Sequence, residues 1–337
     1  MSGAKVMDWR FPIRERAQYE ASFLEHCDSI DHLSDEKINK FLKKCHSDGD
    51  DTALRTIIFP SEKVRLTNLR DIIFLANHYN ENYEKRSIRE LVEIGRAISI
   101  NLTEEEANEI FKLTLPRLKS KCFLGLRRGR ITGSTFKSCC IADVNDPSII
   151  TIKRVISPSK SLELVPGIKY QIRNKKKAIQ QYMRKAILKH EDFVYSECGL
   201  IVNSKLPYFA GSPDGLVHCT CHGDGCLEVK CFNIQEIDTL VDFITRKPNN
   251  MFNKCGNNYT VEESHDLFYQ LQLQINLNSS RYCDCLVWSP RKAFVVRVYP
   301  NRDFWNTAMN KALNFHEQVV MPELLAKFYT KNKGSTV

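Results

Sequence analysis

The hydrophobic positions in the first third of the chain recur at the spacing of an amphipathic helix. Apolar residues three and four apart run through Ser34–Cys45 and Leu66–His78, and the same pattern continues through Arg86–Ala97. Thr103 precedes three glutamates and a further apolar run, which is the arrangement of a capping box at the start of a helix. We therefore predict a helical N-terminal region over residues 1–115.

From about residue 116 the pattern changes to short apolar runs separated by turn residues, which is typical of strands mixed with helices. The predicted strands are Cys198–Asn203, Tyr208–Val217, Cys226–Cys231, Tyr282–Trp288 and Phe294–Tyr299. The predicted helices are Lys175–His190, Asp266–Leu277 and Asp303–Tyr329, the last with an interruption near Pro322. This pattern predicts an α/β domain over residues 116–330, with a mixed β-sheet flanked by helices, and a loose tail over residues 331–337.

The composition is that of a folded protein without membrane spans. With 337 residues and 42% hydrophobic content, the chain can bury a substantial core. It shows no N-terminal signal pattern and no apolar stretch of the roughly 18 residues that a span needs. Thirteen cysteines, an odd number, favour reduced thiols or metal ligands over a disulfide framework. We expect an intracellular protein with no membrane partner, in either nucleus or cytoplasm.

Positive charge is concentrated in one part of the chain. The net charge is +9, and the stretch from Lys121 to His190 alone contains 16 lysines and arginines against three acidic residues. Lysine and arginine contacts with phosphates supply most of the non-specific affinity of proteins for nucleic acids. The stretch therefore favours a nucleic acid as partner, although a solvated basic surface remains the alternative.

Two acids and a lysine form the most informative candidate site. Asp214 lies in the turn of Gly211–Val217, and Glu228 and Lys230 follow on the next predicted strand. Side chains alternate along a strand, so Glu228 and Lys230 share a face. Carboxylates are ligands for Mg²⁺ or Mn²⁺, and a neighbouring lysine can orient or deprotonate the water that attacks a phosphodiester. The carbonyl of Val229 is a further candidate metal ligand.

Four motifs in order resemble one family. Arg-Arg-Gly-Arg-Ile-Thr-Gly-Ser occupies residues 127–134, Ser-Pro-Asp-Gly residues 212–215, Leu-Glu-Val-Lys-Cys residues 227–231, and Gln-Leu-Gln-Leu-Gln residues 270–274. Together they resemble the YqaJ-like viral recombinases, relatives of the phage lambda exonuclease among the PD-(D/E)XK nucleases. The resemblance covers about residues 116–300 and implies a restriction-endonuclease-like core.

The resemblance implies roles for individual residues. Asp214 and Glu228 would hold magnesium, Lys230 would assist the water, and Gln272 would line the site. Alternatively, Gln270 and Gln272 are ordinary polar positions of an amphipathic helix.

A second set of residues would bind the DNA by the same resemblance. Arg127 and Ser134 would hold a terminal 5′ phosphate, and Arg130 would add a contact to DNA. The alternatives are a generic basic loop for the arginines and a helix N-cap for Ser134.

One acid of the family pattern is missing. The family has a glycine and, four residues later, a glutamate on a helix before the first strand. In the best register, with Ala178 and Tyr182 aligned, Gln171 replaces the glycine and Lys175 the glutamate; a competing register keeps Gly167 and puts Gln171 at the acid. A lysine there adds a positive charge that competes with a metal ion.

A cysteine-rich hairpin lies between the two acidic strands. Cys219, Cys221, His222 and Cys226 offer four zinc ligands within eight residues, at a spacing that differs from common zinc fingers. Alternatively, Cys226 is a small buried hydrophobe on its strand.

These observations predict a magnesium-dependent DNA nuclease, a 5′-to-3′ exonuclease on linear duplex ends. One alternative is a catalytically impaired DNA-binding protein that has lost the helix acid, and another is an interaction protein derived from a nuclease. The preference for DNA over RNA and a homo-oligomeric state, as in the toroidal trimers among relatives, follow from family analogy only.

Overall fold

The computed structural model describes residues 75–98, 100–115, 122–158, 165–246, 250–256 and 258–332. All of them belong to one compact unit, Val64–Val337. The predicted helix at Ser34–Cys45, most of Leu66–His78 and the tail from residue 333 lie outside the described residues. The predicted domain boundary near residue 115 stays a prediction.

The described residues form ten strands and eleven α-helices, with two 3₁₀ turns at Leu75–His78 and Glu81–Tyr83. The strands are β1 Ile131–Thr132, β2 Val194–Ser196, β3 Ile201–Asn203, β4 Leu206–Gly211, β5 Gly215–Cys219, β6 Gly223–Cys231, β7 Phe252–Cys255, β8 Asn258–Val261, β9 Tyr282–Trp288 and β10 Ala293–Val298. The helices are α1 Ile88–Ala97, α2 Glu104–Thr114, α3 Cys122–Arg127, α4 Phe136–Ile141, α5 Ile149–Ile156, α6 Pro166–Ile187, α7 Ile237–Thr245, α8 Asp266–Leu277, α9 Arg302–Phe315, α10 Met321–Ala326 and α11 Phe328–Asn332.

A five-stranded mixed sheet forms the centre of the fold, with strand order β10-β9-β6-β5-β2. β6 pairs antiparallel with β5 and parallel with β9, so it lies in the middle of the sheet. Its alternate residues pack on opposite faces: Leu227 and Val229 contact α6, whereas Cys226 packs with α7 and α8. The predicted mixed sheet flanked by helices is confirmed.

α8 lies between this sheet and the three-stranded sheet β1-β4-β3. Leu271 and Ile275 belong to the core on the five-stranded sheet, and Leu273 and Leu277 to the core on the other side, with α4 and α9. A helix that is apolar on opposite sides is a buried helix. The polar side chains of α8 are therefore held in fixed positions between two cores.

The predicted strand Tyr208–Val217 is wrong as one element. The chain leaves the three-stranded sheet after Gly211 and enters the five-stranded sheet at Gly215. Pro213, in the intervening turn, has no N–H to donate to a sheet ladder, which favours a break there. Asp214 is consequently placed in the turn that connects the two sheets.

The C-terminal helical stretch is also divided differently from the prediction. Pro322 lies in the first turn of α10, after a π-helical segment over His316–Val320, and the break comes at Lys327, whose φ is 53°. The capping box predicted at Thr103 is confirmed, with Glu106 as its acidic partner. Within the described residues, no helix is both long and apolar enough to cross a membrane.

Candidate active site

Asp214 is fixed by backbone contacts on both sides. Its amide donates to the carbonyl of Leu227 at 2.7 Å, its carboxylate Oδ2 accepts from the amide of Val229 at 2.9 Å, and its carbonyl accepts from the Tyr195 hydroxyl at 3.0 Å. A Cβ on Gly215 would lie 2.1 Å from the ring of Tyr195, so this ring requires glycine after the aspartate. The Ser-Pro-Asp-Gly turn thus serves to hold one carboxylate at the end of β6.

Glu228 and Lys230 lie on the face of β6 that is turned toward α8. Lys230 Nζ lies 3.0 Å from Glu228 Oε1 and donates to Gln270 Oε1 at 3.1 Å. Gln274 Nε2 donates to the other oxygen of Glu228 at 2.9 Å. The period of two along the strand and the helical spacing of four along α8 bring these four side chains together.

Gln272, predicted to line the site, does not. Its amide group donates to the carbonyl of Tyr299 at 2.8 Å and accepts from the amide of Asn301 at 2.9 Å. Gln272 is two residues from both Gln270 and Gln274, so it points to another side of α8. It ties α8 to the start of α9, and its role is structural.

Lys175 of α6 is in direct contact with one candidate metal ligand, Asp214. Its Nζ lies 2.7 Å from Asp214 Oδ1, and the lysine side chain is 35% exposed against 3% for the aspartate. This placement supports the register in which Lys175 replaces the helix glutamate of the family pattern, rather than the register that puts Gln171 there. The two lysines and two carboxylates balance each other in charge.

Each charged group in this cluster stabilises the charged form of its neighbours. Burial alone raises the pKa of Glu228, but the ammonium groups of Lys230 and Lys175 lower it, and the net pKa lies below the ordinary value of a glutamate. Burial lowers the pKa of Lys230, yet the carboxylate of Glu228 raises it above the ordinary value. A protonated Lys230 donates hydrogen bonds, so in this arrangement it is suited to orient a water rather than to deprotonate it.

The oxygen atoms of this cluster are of the kind that binds a hard divalent cation. Carboxylate oxygens of Asp214 and Glu228 are the ligands that Mg²⁺ and Mn²⁺ prefer. The Oε1 atom of Gln274 is buried without a hydrogen-bond partner, and such an acceptor is normally satisfied by an ion or a water. These oxygens fit Mg²⁺ or Mn²⁺, whereas the ammonium of Lys175 opposes the cation. Val229 donates its amide to Asp214, and a role for its carbonyl as ligand stays a prediction.

Arg127 and Ser134 lie together on an accessible surface. The Arg127 guanidinium and the Ser134 hydroxyl each lie 3.4 Å from the hydroxyl of Thr132. Arg154 donates to the carbonyl of Ser134 at 2.6 Å and brings a second guanidinium to the cluster. Ser134 is exposed and is not an N-cap, since α4 is preceded by Thr135. Guanidinium and hydroxyl groups of this kind suit a phosphate.

The loop that carries these groups contacts the carboxylate cluster. A Cβ on Gly133 would lie 2.8 Å from Cγ of Gln270, the residue that accepts from Lys230. The glycine therefore lets the loop pack closely against α8. The loop that carries Ser134 is therefore linked to Lys230 through one side chain, that of Gln270.

Arg130, predicted to contact DNA, is buried. It is 1% exposed, donates to the carbonyl of Pro207 at 2.8 Å and also bonds the carbonyl of Leu126. Burial lowers the pKa of Arg130 to about 10. The prediction of a DNA contact is wrong for this residue, because its guanidinium is used to connect α3 with β4.

Arg130 and Arg127 should therefore differ in their effects. Arg130→Ala should lower the free energy of unfolding by about 3 kcal/mol, because two backbone carbonyls lose their donor in a buried site. Arg127→Ala should lower the free energy of unfolding by no more than about 1 kcal/mol, because the half-buried guanidinium lies over the ring of Phe123. It should reduce the slope of log affinity for DNA against log salt by about 1. Chemical denaturation and DNA titrations at several salt concentrations measure the two effects, with the exposed Arg128→Ala as control. A weaker affinity of Arg130→Ala for DNA at unchanged stability would contradict this assignment.

The cysteine hairpin brings together three of its four predicted ligands. Cys219, Cys221 and His222 lie in mutual contact at the hairpin tip. Cys226 is fully buried, contacts the carbonyl of Tyr282 and packs in the core beneath α7 and α8. Its inclusion in a zinc site is wrong, because alternation along β6 turns its side chain into the core, where it serves as a small hydrophobe.

Two residues of the site were missed by the motif analysis. Gln274 holds Glu228, and Tyr195 holds the backbone of Asp214. The spacing of four between Gln270 and Gln274 was the available signal for the first, since it puts both on one helix face. Nothing in the sequence around Tyr195 signals the second.

The chain matches no protein-family model and no curated protein sequence. Among solved structures it is similar to the alkaline exonuclease LHK-Exo from Laribacter hongkongensis, with 18% identity and a TM-score of 0.43 over 63% of this chain and 97% of that chain. It is also similar to the Shutoff and Exonuclease Protein from Kaposi's sarcoma-associated herpesvirus, with 13% identity and a TM-score of 0.43 over 74% and 77% of the two chains. A phage-related exonuclease from Haemophilus somnus 129PT shows 8% identity and a TM-score of 0.39 over 58% and 94%.

All three of these proteins are exonucleases. With TM-scores of 0.39–0.43, the likeness does not decide what this chain does. The activity of this chain therefore has to be established on its own residues.

Proposed function

We propose that this protein is a metal-dependent DNA nuclease that hydrolyses phosphodiester bonds, acting as a 5′-to-3′ exonuclease on linear duplex DNA. The observation that carries the proposal is the convergence of Asp214, Glu228 and Lys230 in one buried cluster, held by Gln270 and Gln274. Two carboxylates beside a lysine suit phosphodiester hydrolysis with Mg²⁺ or Mn²⁺, because the acids can hold the cation and the lysine can orient the water.

Each residue has a defined task in this proposal. A divalent cation bound by Asp214 and Glu228 would neutralise the charge that develops on the phosphate. Lys230 orients the attacking water, and its own position is fixed by hydrogen bonds to Glu228 and Gln270. Gln274 keeps Glu228 in place with one hydrogen bond from its Nε2, and the Oε1 of the same amide is buried without a partner.

The preference for DNA ends rests on the neighbouring loop. Arg127, Ser134 and Arg154 form a cluster suited to a terminal phosphate, and Gly133 packs against the helix that supports Lys230. An enzyme that anchors a 5′ phosphate beside its cleavage centre removes nucleotides from that end. The exposed basic side chains of α6 would contact the backbone of the duplex. Assembly into a homo-oligomer and an intracellular location stay predictions.

The test is digestion of defined DNA molecules. With Mg²⁺ or Mn²⁺, the full chain should release nucleotides from linear duplex with 5′-phosphorylated ends, act more slowly on 5′-hydroxyl ends and spare closed circles. A chelator should stop the reaction. Equal cleavage of linear and closed circular DNA would contradict exonuclease action, and the absence of any cleavage would contradict the proposed enzyme.

A second candidate function is favoured by one contact. The ion pair between Lys175 and Asp214 puts a positive charge where a metal ion would have to bind. This contact favours a protein that binds DNA without cleaving it. Such a protein binds linear duplex with a steep inverse dependence on salt and does not cleave it with either metal. The digestion assay therefore separates the two functions when DNA binding is measured in the same samples.

A further inference from the structure

The tip of the β5–β6 hairpin contacts the segment that follows α6. The amide of Thr220 donates to the carbonyl of Glu191 at 3.0 Å, and its hydroxyl donates to Asp192 at 2.9 Å. Asp192 adopts a left-handed conformation, with φ of 50°, so the chain turns sharply after the helix. This turn brings His190 against the hairpin, although 29 or more residues separate it from the cysteines and histidine there.

His190 completes a group of four soft ligands. Its Nδ1 atom lies 3.3 Å from the sulfur of Cys221, which lies 3.4 Å from the sulfur of Cys219. His222 Nδ1 lies 3.0 Å from the sulfur of Cys221 and 3.6 Å from the sulfur of Cys219. One ligand atom from each of the four residues lies within 4.8 Å of all the others.

These separations are close to those of a tetrahedral zinc site. Zinc–sulfur bonds of about 2.3 Å and zinc–nitrogen bonds of about 2.0–2.1 Å put neighbouring ligand atoms roughly 3.3–3.8 Å apart. Two thiolates and two imidazoles are a frequent ligand set for structural zinc. The four ligand atoms come from two segments of the chain, three from the hairpin tip and one from the segment that follows α6, and they converge on one point.

We propose that Cys219, Cys221, His222 and His190 bind one structural zinc ion. This site lies at the hairpin tip, at the opposite end of β5 from Asp214, so it is separate from the carboxylate cluster. The ion would tie the hairpin of β5 and β6, which follows Asp214 and carries Glu228, to the segment after α6, the helix that carries Lys175. Zinc binding does not depend on cleavage of DNA and would hold for either function proposed above.

The first measurement is the zinc content of the purified full-length chain by inductively coupled plasma mass spectrometry, before and after incubation with zinc and gel filtration. One zinc per chain is expected for the wild type, and loss of zinc for His190→Ala and for Cys221→Ser. Both substituted side chains are at least partly exposed, so the variants should fold, which circular dichroism checks. Replacement of zinc by cobalt should give the visible absorption of a tetrahedral thiolate site.

Two control variants make the assignment specific. His218→Ala should keep the zinc, because this exposed histidine of the same hairpin pairs with Asp224 at 2.8 Å and lies outside the four-residue group. Cys226→Ala should also keep it. Zinc that is lost in Cys226→Ala but kept in His190→Ala would overturn the proposal in favour of a site within the hairpin alone. A wild-type chain without zinc, with a mass showing a Cys219–Cys221 disulfide, would overturn it as well.

Discussion

Glu228→Gln is expected to lower the rate of DNA cleavage by about a thousand-fold or more, because a metal-held phosphate loses several kcal/mol of transition-state stabilisation with its carboxylate ligand. The substitution keeps the size of a side chain that is only 7% exposed, so the fold should tolerate it. It also removes the negative charge that holds Lys230 at 3.0 Å. In the proposed mechanism, Glu228→Gln therefore removes both a carboxylate ligand of the metal and the charged partner of Lys230, the group that orients the water.

The matched control for this variant lies on the same strand. Asp224→Asn makes the same chemical change at an acid whose side chain is 64% exposed and contacts His218. Initial rates of nucleotide release from 5′-phosphorylated duplex, measured with saturating metal for wild type and both variants, give the comparison. Equal loss of activity in the two variants, or full activity of Glu228→Gln, would contradict a catalytic role of Glu228.

Lys175→Glu is expected to raise the affinity of the site for Mn²⁺ or Mg²⁺ by at least about ten-fold, after allowance for solvent screening at a partly exposed lysine. The wild-type ammonium lies 2.7 Å from Asp214 Oδ1, so a cation has to displace it. A carboxylate at this position removes the competing charge and adds an oxygen ligand. Cleavage should then reach half its maximum at a lower metal concentration than in the wild type.

Lys176→Glu is the control for this second variant. It makes the same change of charge on the adjacent residue of α6, where the side chain is exposed. Calorimetric titration with Mn²⁺ separates the effect on metal binding from any effect on DNA binding. Similar metal affinities for Lys175→Glu and Lys176→Glu would contradict the view that Lys175 competes with the cation.

The two variants together distinguish the candidate functions. If the wild type cleaves DNA and Glu228→Gln does not, the protein is a nuclease that is active despite the ion pair of Lys175 with Asp214. A silent wild type that gains cleavage with Lys175→Glu is a DNA-binding protein whose remaining site is intact. The second result would assign the loss of cleavage to the ion pair between Lys175 and Asp214.

Much of the carboxylate cluster could be predicted from local spacing. Glu228 and Lys230 share a strand face because side chains alternate, and Asp214 precedes the strand paired with theirs. The register of Ala178 and Tyr182 on α6 predicted that Lys175 lies at the position of the missing acid. Its contact with Asp214 agrees with that register. These features depend on the geometry of single elements and of one hairpin.

Other predictions failed where two distant segments meet. Gln272 and Gln270 are both polar positions of one helix, and only the packing of α8 between two cores decides that Gln270 faces Lys230. Arg130 belongs to a basic motif, yet the position of β4 relative to α3 buries it. Cys226 has the spacing of a hairpin ligand, but its side chain is buried in the core beneath α8. At the hairpin tip it is His190 that contacts Cys221.

The α/β class, the basic stretch and the shared strand face of Glu228 and Lys230 could be read from residue types and from the fixed periods of strand and helix. The pairing of these two residues with Asp214 as a site, and the lysine in place of an acid, came from the resemblance of the motifs. The packed structure was needed to show which glutamines hold the site, which arginine is accessible and which histidine lies against the cysteines. Those outcomes depend on how separate elements pack, because the burial of one face of an element is set by its neighbours and not by its own sequence.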